Sequence, residues 1–505
     1  MVLPLVYRAL RRVLELVLLV LGPLGKLDEE EGMPLSNRSG APRSADTDRS
    51  SASRDPLARL DRIPVWPYER KLLWILGAGY FFAFFDIVTI AFALPVIAQQ
   101  FHVSKTVVAY SVTSSLIGYI IGAYANSTIA DKWGRKLGLR ISVGMFSVGT
   151  LVAAFSPNVT VLIIFRFIAG MGIGAEIAAV TTYIGELSPA PLRGRYTSWA
   201  TTAAFAGLGA VPLVARALVP TFASGWRVLF IIGALGSLTI LYMRRGLPPS
   251  PRWLASQGRE AEASEVVAES EELARDKVGG ELPKVEPVAA EPAAETFPTR
   301  ALLRPPYVWR LLLFVGIWFF YYVGDYGWLT LAPTLFVDKG YSLAASTSYL
   351  IVSGLGFVVG SYATTHFSDR VERKYSIAVI AVVWAASLLV IGFFVSPAII
   401  MVFGFIASAT IGLAIPLLYT YTAEHFPTNA RASGIALTDG LGHLGGALAP
   451  VFVLGALNLW GFAGAFDVMA ATGIVAGLLV LLGIRATGRS LETVTAPTET
   501  VTAPT

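Results

Sequence analysis

An all-α membrane protein, with twelve transmembrane helices in two pseudo-symmetric six-helix bundles, is what this sequence predicts. Three observations carry the prediction. Only 14% of the 505 residues are charged and 54% are apolar, whereas soluble chains carry about 25% charged residues. Apolar stretches of roughly 20 residues recur along the chain, the length that crosses a hydrocarbon layer about 30 Å thick. The first six stretches also match the last six at one constant offset. In lipid every backbone polar group must find its partner within the chain, so such stretches are helices. A barrel would need alternating segments of about ten residues, and none is seen.

Residues 1–22 form an apolar run behind Arg8, Arg11 and Arg12. Glu15 interrupts the run and no small-residue cleavage site follows, so it reads as a surface-lying helix or as an extension ahead of a start at Met33. Residues 36–60, rich in Ser, Arg, Asp and Pro, are expected to be disordered. Spans are expected at 72–98, 107–129, 138–156, 159–184, 196–218 and 226–244, then at 308–336, 344–366, 375–394, 397–422, 433–457 and 462–484. The organisation is therefore an N-terminal extension (1–65), a first bundle (66–245), a central loop (246–306), a second bundle (307–485) and a tail (486–505). Within the central loop, Gly258 to Ala274 reads as helical and Glu281 to Pro298 as a Pro/Ala/Glu linker. The tail repeats VTAPT and holds no core-forming residues.

The loops after spans 2, 4, 8 and 10 hold Lys132, Arg135, Lys136, Arg140, Arg193, Arg195, Arg370, Arg373, Lys374 and Arg431, whereas the loops after spans 9 and 11 hold no Lys or Arg. Basic loops stay in the cytoplasm, so both termini and the central loop are expected there, in a multi-pass protein of the cell membrane. The net charge of +5 belongs to these loops, and no nucleic-acid partner is expected. The absence of cysteine excludes disulfides, zinc–thiolate sites and thiol nucleophiles.

The offset is 238 residues. It pairs Pro95 with Pro333, Gly118 with Gly356, Gly122 with Gly360 and Asp131 with Asp369. It also pairs Arg135 with Arg373, Tyr183 with Tyr421, Glu186 with Glu424, Pro189 with Pro427 and Arg193 with Arg431. Gly or Ala matches arise by chance between apolar helices, but a matched series of Asp, Arg, Tyr, Glu and Pro does not. Such a repeat gives two equivalent halves about a pseudo-twofold axis, each able to rock as a body about a site at their interface.

Asp131-Lys-Trp-Gly134-Arg135-Lys136 follows span 2, and Asp369-Arg-Val-Glu-Arg373-Lys374 follows span 8. Tyr183-xx-Glu186-xx-Pro189-xxx-Arg193 and Tyr421-xx-Glu424-xx-Pro427-xxx-Arg431 follow spans 4 and 10, and Pro249-Ser-Pro251-Arg252 follows span 6. Together these motifs resemble the major facilitator superfamily, in particular its sugar-porter and aromatic-acid:proton symporter branches, over residues 66–485. The resemblance implies a transporter rather than an enzyme. It also implies a gating set on the cytoplasmic side: Asp131, Gly134, Arg135, Glu186, Arg193, Arg252, Asp369, Arg373, Glu424 and Arg431. The bland alternative is that these are solvated loop charges obeying the topology rule. Three positions depart from the family pattern: Ser127 and Glu372 replace glycines, and Pro249 stands where a gating carboxylate is usual. The Gln-Gln and Asn pattern of sugar porters is absent from span 7, which argues against a sugar.

Asp86, Arg166, Glu176, Asp325, Asp439 and His443 fall inside predicted spans. An ionisable group there is costly, and it marks either a functional site or a satisfied structural pair. Asp86, Arg166 and Glu176 are the candidates for proton coupling. By rise per residue, Asp86 and Arg166 lie at similar depth, and Arg166 stands 17 residues before Tyr183, the placement the resemblance implies for a coupling arginine. Asp439 and His443, four residues apart, share a helix face. They form the candidate substrate site with Tyr321, Tyr322, Asp325 and Trp328, where span 7 is crowded with aromatic rings.

The expected activity is symport of a small organic or aromatic acid with protons, with no cofactor beyond the proton gradient, by a monomer in the bilayer. A sugar, a polyol or an organic cation is the alternative cargo. A sensor without turnover is the alternative of another class, although such sensors usually carry a large folded cytoplasmic domain.

Overall fold

Helix starts in the two halves use matching caps. Ser104 Oγ accepts from the Val107 N–H at 3.3 Å and Ser342 Oγ from the Ala345 N–H at 3.2 Å. Asn158 Oδ1 accepts from the Val161 N–H at 3.0 Å and Ser396 Oγ from the Ile399 N–H at 3.3 Å. Each pair is 238 residues apart, and each side chain satisfies an amide that the helix itself leaves without a partner. The computed structural model describes residues 55–285, 302–305, 307–367, 371–427 and 430–485. The apolar run at 1–22, Met33, most of the Pro/Ala/Glu linker, Asp369 and the VTAPT repeats lie outside them.

The spans of the first half are α1 (Arg70–Gln100), α2 (Lys105–Trp133), α3 (Arg135–Ala154), α4 (Val159–Leu187), α5 (Arg193–Leu218) and α6 (Gly225–Met243). Those of the second half begin with α7 (Tyr307–Asp338), α8 (Leu343–Phe367), α9 (Arg373–Phe393) and α10 (Pro397–Glu424). The last helix, Arg431–Val480, breaks at Gly461, where φ is +74°, into α11 (431–460) and α12 (462–480). The chain then returns to the face it left, because the Ile484 N–H donates to His425 Nε2. Among the described residues eleven helices are long and apolar enough to cross a membrane, and the break divides the last into two spans. Each differs from its expected bounds by a few residues at most.

The repeat survives as contact geometry. A Cβ added at Gly118 would strike the Phe167 carbonyl, and one at Gly356 the Phe405 carbonyl. Gly122 and Gly360 meet the carbonyls of Met171 and Ala409 in the same way, and Gly207 and Gly445 those of Phe81 and Phe319. Every partner lies 238 residues from its mate, so the glycines are kept for close helix–helix approach. Within the first half α2 packs on α4 and α1 on α5, and within the second α8 packs on α10 and α7 on α11.

Among the described residues the halves meet chiefly through α5 with α8, α2 with α11, and α1 with α7. Lys105 and Asp338 form an ion pair between the α1–α2 and α7–α8 turns. Arg216 Nε donates to Ser348 Oγ at 2.8 Å and Thr113 Oγ1 to the Ala447 carbonyl at 2.7 Å. These contacts gather on the side of the molecule opposite the basic loops.

The basic face corrects the expectation that residues 36–60 are disordered throughout. Asp55 caps a short helix, Pro56–Asp61, that opens on proline, a residue suited to a first helical turn. Leu60 and Ile63 bury against Val267, Ala274 and Leu282 of the central segment. The central helix runs Glu260–Val278, longer than expected. Its Glu271 receives Arg59 at 2.8 Å and Arg62 at 2.5 Å. Burial pushes the Glu271 carboxyl up, but the two guanidiniums outweigh it and hold it below the usual glutamate range. Lys277 Nζ donates to the carbonyls of Trp66 at 3.0 Å and Tyr68 at 2.5 Å. The central helix is thereby clasped to the segment entering α1.

Candidate functional site

Asp86, in the middle of α1, and Arg166, in the first third of α4, are each about 1% exposed. Arg166 Nη1 donates to Asp86 Oδ2 at 2.7 Å, and Thr150 Oγ1 to Asp86 Oδ1 at 2.9 Å. Arg166 Nη2 lies 3.4 Å from both the Asp86 carbonyl and Ser115 Oγ, and the guanidinium stands over the Phe230 ring. Both carboxylate oxygens are therefore engaged, while Arg166 Nε is buried without a partner. Arg166 lines a cavity with Ser115, Tyr119, Gly170, Tyr326 and Thr330. The last two residues come from α7, so the cavity lies between the halves.

Glu176 does not join this pair. Arg244 grips both of its oxygens, with Nη1 at 2.8 Å from Oε2 and Nη2 on Oε1, and Ser142 Oγ donates to Oε2 at 2.6 Å. Glu176 and Arg244 are at most 1% exposed, and a Cβ at Gly79 would strike both side chains. The charge is fully matched by a bidentate partner, so the geometry is that of a structural pair tying α1, α3 and α4 to the end of α6. Sequence reasoning missed Arg244 because the Arg244–Arg245 run reads as boundary charge.

Tyr119 and Tyr326, which line the Arg166 cavity, belong to an aromatic box. The His443 ring stacks on Tyr119, with centroids 4.1 Å apart and planes 18° apart, and packs on Tyr322 at 4.1 Å and Tyr326 at 5.8 Å. His443 Nδ1 lies 2.8 Å from the Asp439 carbonyl and 3.5 Å from Asp439 Oδ1. The carbonyl can only accept, so Nδ1 carries the proton and Nε2 is left for another partner. Asp439 Oδ1 accepts from the hydroxyls of Tyr322 at 2.6 Å and Tyr419 at 2.8 Å. Thus Tyr322, Asp439 and His443 come together as expected, and Tyr119, Tyr326 and Tyr419 join them. A signal for Tyr119 was present in the repeat, since its mate is Phe357.

The other expected substrate residues point elsewhere. Trp328 Nε1 donates to Ser408 Oγ at 3.1 Å and lines a second cavity with Phe92, Leu208, Ser353 and Phe357. Tyr321 and Asp325 lie one turn apart on α7 and take no part in the hydrogen bonds of the box, although the Tyr321 ring packs edge-on against Tyr322 at 5.6 Å. Tyr321 Oη and Asp325 Oδ1 are buried without hydrogen-bond partners.

The gating candidates pair within their own halves. Arg135 Nε donates to Glu186 at 2.9 and 3.1 Å, and its Nη1 to Asp131. Arg373 Nη1 donates to Glu424 at 2.5 Å. Arg193 Nε reaches the Gly185 carbonyl and Arg431 Nε the Ala423 carbonyl, each at 3.0 Å. Gly134 has φ +104°, which favours glycine, and faces the Trp253 ring. Arg252 pairs with Asp61, ahead of α1.

Comparison with known proteins agrees with this architecture. The family model described as Major Facilitator Superfamily matches residues 76–450 and, in a second match, 352–504. The niacin transporter NiaP of Acinetobacter baylyi is 30% identical over 446 residues, 87% of this chain and 99% of the relative. The 4-hydroxybenzoate transporter PcaK of the same organism is 28% identical over 432 residues, 82% of this chain and 91% of the relative. The partially occluded inward-open xylose transporter XylE of Escherichia coli superposes with a TM-score of 0.67 at 19% identity, covering 83% of this chain and 98% of that one. A twofold-repeated twelve-span bundle, a family match over most of its length and a relative aligned nearly end to end leave one assignment: the chain belongs to the Major Facilitator Superfamily of membrane transporters.

Proposed function

We propose that this chain carries a small aromatic or other organic acid together with protons, with Asp86 as a proton carrier and Arg166 as its switchable partner. The observation that supports this reading is the buried Asp86–Arg166 pair, whose guanidinium lines a cavity that Tyr119 and Tyr326 of the aromatic box also line. A carboxylate substrate competes with Asp86 for the guanidinium, because Arg166 holds either one through charge-assisted hydrogen bonds. Once Arg166 turns to the substrate, Asp86 is a buried acid without its counter-charge and takes a proton. When the substrate leaves, the pair reforms and the proton is released. Tyr119, Tyr322 and Tyr326 offer ring faces to an aromatic cargo, and His443 Nε2 offers it one polar contact.

The relatives carry niacin and 4-hydroxybenzoate by name, both aromatic acids, which supports the substrate class. An organic cation is disfavoured because two tyrosine hydroxyls already occupy Asp439 Oδ1. The basic loops support a cytoplasmic basic face, and the gathered contacts on the opposite side then correspond to an inward-facing arrangement. The cytoplasmic ion pairs serve as gates in this reading.

The test uses proteoliposomes with nicotinate and 4-hydroxybenzoate as probes. Asp86→Asn is expected to keep solute exchange at equal pH, while accumulation driven by a pH gradient falls at least tenfold per pH unit. An unchanged accumulation ratio would remove Asp86 from the mechanism.

A further inference from the structure

The Asp86–Arg166 pair exists in one half only. The residues 238 positions on are Gly324 and Gly404, so the second half has neither acid nor guanidinium there. It does hold an acid one residue further along. Asp325 occupies the position equivalent to Ile87, which packs in the first half against a cluster of Ala83, Tyr119, Val143, Phe146 and Ile173. The equivalents of those five are Tyr321, Phe357, Ala381, Trp384 and Ile411, a largely aromatic and aliphatic set. Asp325 is 2% exposed, and its Oδ1 has no hydrogen-bond partner.

Two hydrogen-bond donors in the same region lack acceptors. Tyr321 Oη belongs to the preceding turn of α7, and Trp384 Nε1 to a ring that lies against Gly324. Around Gly324, α9 and α12 contribute Trp384, Met469 and Thr472, none of which titrates. The titratable neighbours are Tyr321, Tyr322 and Tyr326 of α7, with Tyr419 of α10 and Asp439 and His443 of α11 beyond Tyr322. None of the described basic side chains is paired with Asp325. A carboxylate in such surroundings is strongly disfavoured as a charge. A metal ion would require several converging oxygens, whereas the unpartnered groups here are N–H and O–H donors.

We propose that Asp325 is a second proton-binding site, lodged in the second half and filled in this arrangement. It empties when rocking of the halves turns Tyr321 or Trp384 onto the carboxylate, which can then hold its negative charge. The inference rests on the proton-symport reading and adds one proton to it: the carboxylate takes up a proton on one side and returns it on the other, with no other bond changed. Two protons carried with a monovalent acid anion move one net positive charge per cycle, and one proton moves none.

The experiment records charge movement and labelled nicotinate or 4-hydroxybenzoate uptake together, in proteoliposomes of the full chain. The unaltered protein is expected to give about one positive charge per anion. Asp325→Asn is expected to transport at a charge ratio near zero. Asp325→Ile, which installs the residue of the equivalent position, should behave alike and guards against misfolding by either variant; counterflow of solute at equal pH shows that each is folded. Electroneutral uptake by the unaltered protein, or an unchanged charge ratio in both variants, overturns the inference while leaving the symport reading intact. Absence of any proton-driven uptake by the unaltered protein refutes the symport reading itself.

Discussion

Tyr119 and His443 stack across the interface between the halves with ring centroids 4.1 Å apart, and their equivalents, Phe357 and Phe205, stack across the same interface at 6.5 Å. The planes are nearly parallel in both pairs, at 18° and 19°. The pseudo-twofold axis thus generates one contact twice, apolar on one side and polar on the other. The polar copy borders the Arg166 cavity.

The apolar copy shows that the frame accepts two phenylalanines. Tyr119→Phe with His443→Phe is therefore expected to leave the melting temperature within a few degrees of the unaltered protein. Affinity for an aromatic acid is expected to fall at least tenfold, a loss of about 1.4 kcal/mol. Thermal-shift titration reads both quantities at once. Unaltered affinity would mean that the stack only packs the halves together.

Arg244→Met leaves Glu176 charged and buried without its bidentate partner. Breaking a pair of this kind costs about 3–5 kcal/mol. Replacing both partners, as Glu176→Leu with Arg244→Met, is expected to recover most of that loss. Denaturation in detergent micelles measures the series, and a double variant no more stable than Arg244→Met would contradict the structural reading of this pair.

His425 sets a pH limit at the basic face. Its Nδ1 lies 2.7 Å from the Tyr421 carbonyl, and its Nε2 accepts from the Ile484 N–H at 3.1 Å, an arrangement available only to the neutral ring. Burial is the main cause of a pKa pushed down from 6.5 to about 4, with the Arg310 and Lys374 charges assisting against the upward pull of the Tyr421 carbonyl. The unfolded chain binds this proton between those values and the folded protein does not. Stability is therefore full above about pH 6.5 and declines toward pH 4, by about 3 kcal/mol in all. His425→Leu, matching Leu187 in the first half, should flatten this decline in unfolding measured across that range. An equally steep decline in the variant would assign it to another group.

The absence of cysteine makes single introduced cysteines clean probes of topology. Ala268, exposed on the central helix, suits this purpose better than its buried neighbour Ser270. Ala268→Cys is expected to resist an impermeant reagent in intact cells and to react after permeabilisation. Reaction in intact cells would invert the orientation assigned from the loop charges.

Most of the architecture was legible because it rests on local or periodic signals. Span length, the Ser104/Ser342 and Asn158/Ser396 caps and the 238-residue offset are all linear features of the chain. The Asp86–Arg166 contact was also accessible, since helical rise places the two residues at one depth. The contacts that escaped join residues far apart in sequence without a period to announce them: Arg252 with Asp61 across 191 positions, and Arg244 with Glu176 across 68. The short helix at Pro56–Asp61 escaped for a related reason. Its composition is that of a disordered segment, and its order comes from burial of Leu60 and Ile63 on the central helix. Trp328 was misplaced because ring-rich helices do not reveal from sequence which ring faces which neighbour.

The Lys105–Asp338 pair on the face opposite the basic loops is partly exposed, with side chains at 35% and 27% of their full accessibility. A pair so wetted by solvent contributes only about 0.2–1 kcal/mol. Such a fastening biases a two-state equilibrium by no more than several-fold, so on its own it holds the unloaded carrier in neither orientation. Ionic strength on that side weakens it further. Saline surroundings should therefore raise the share of empty molecules turned toward them.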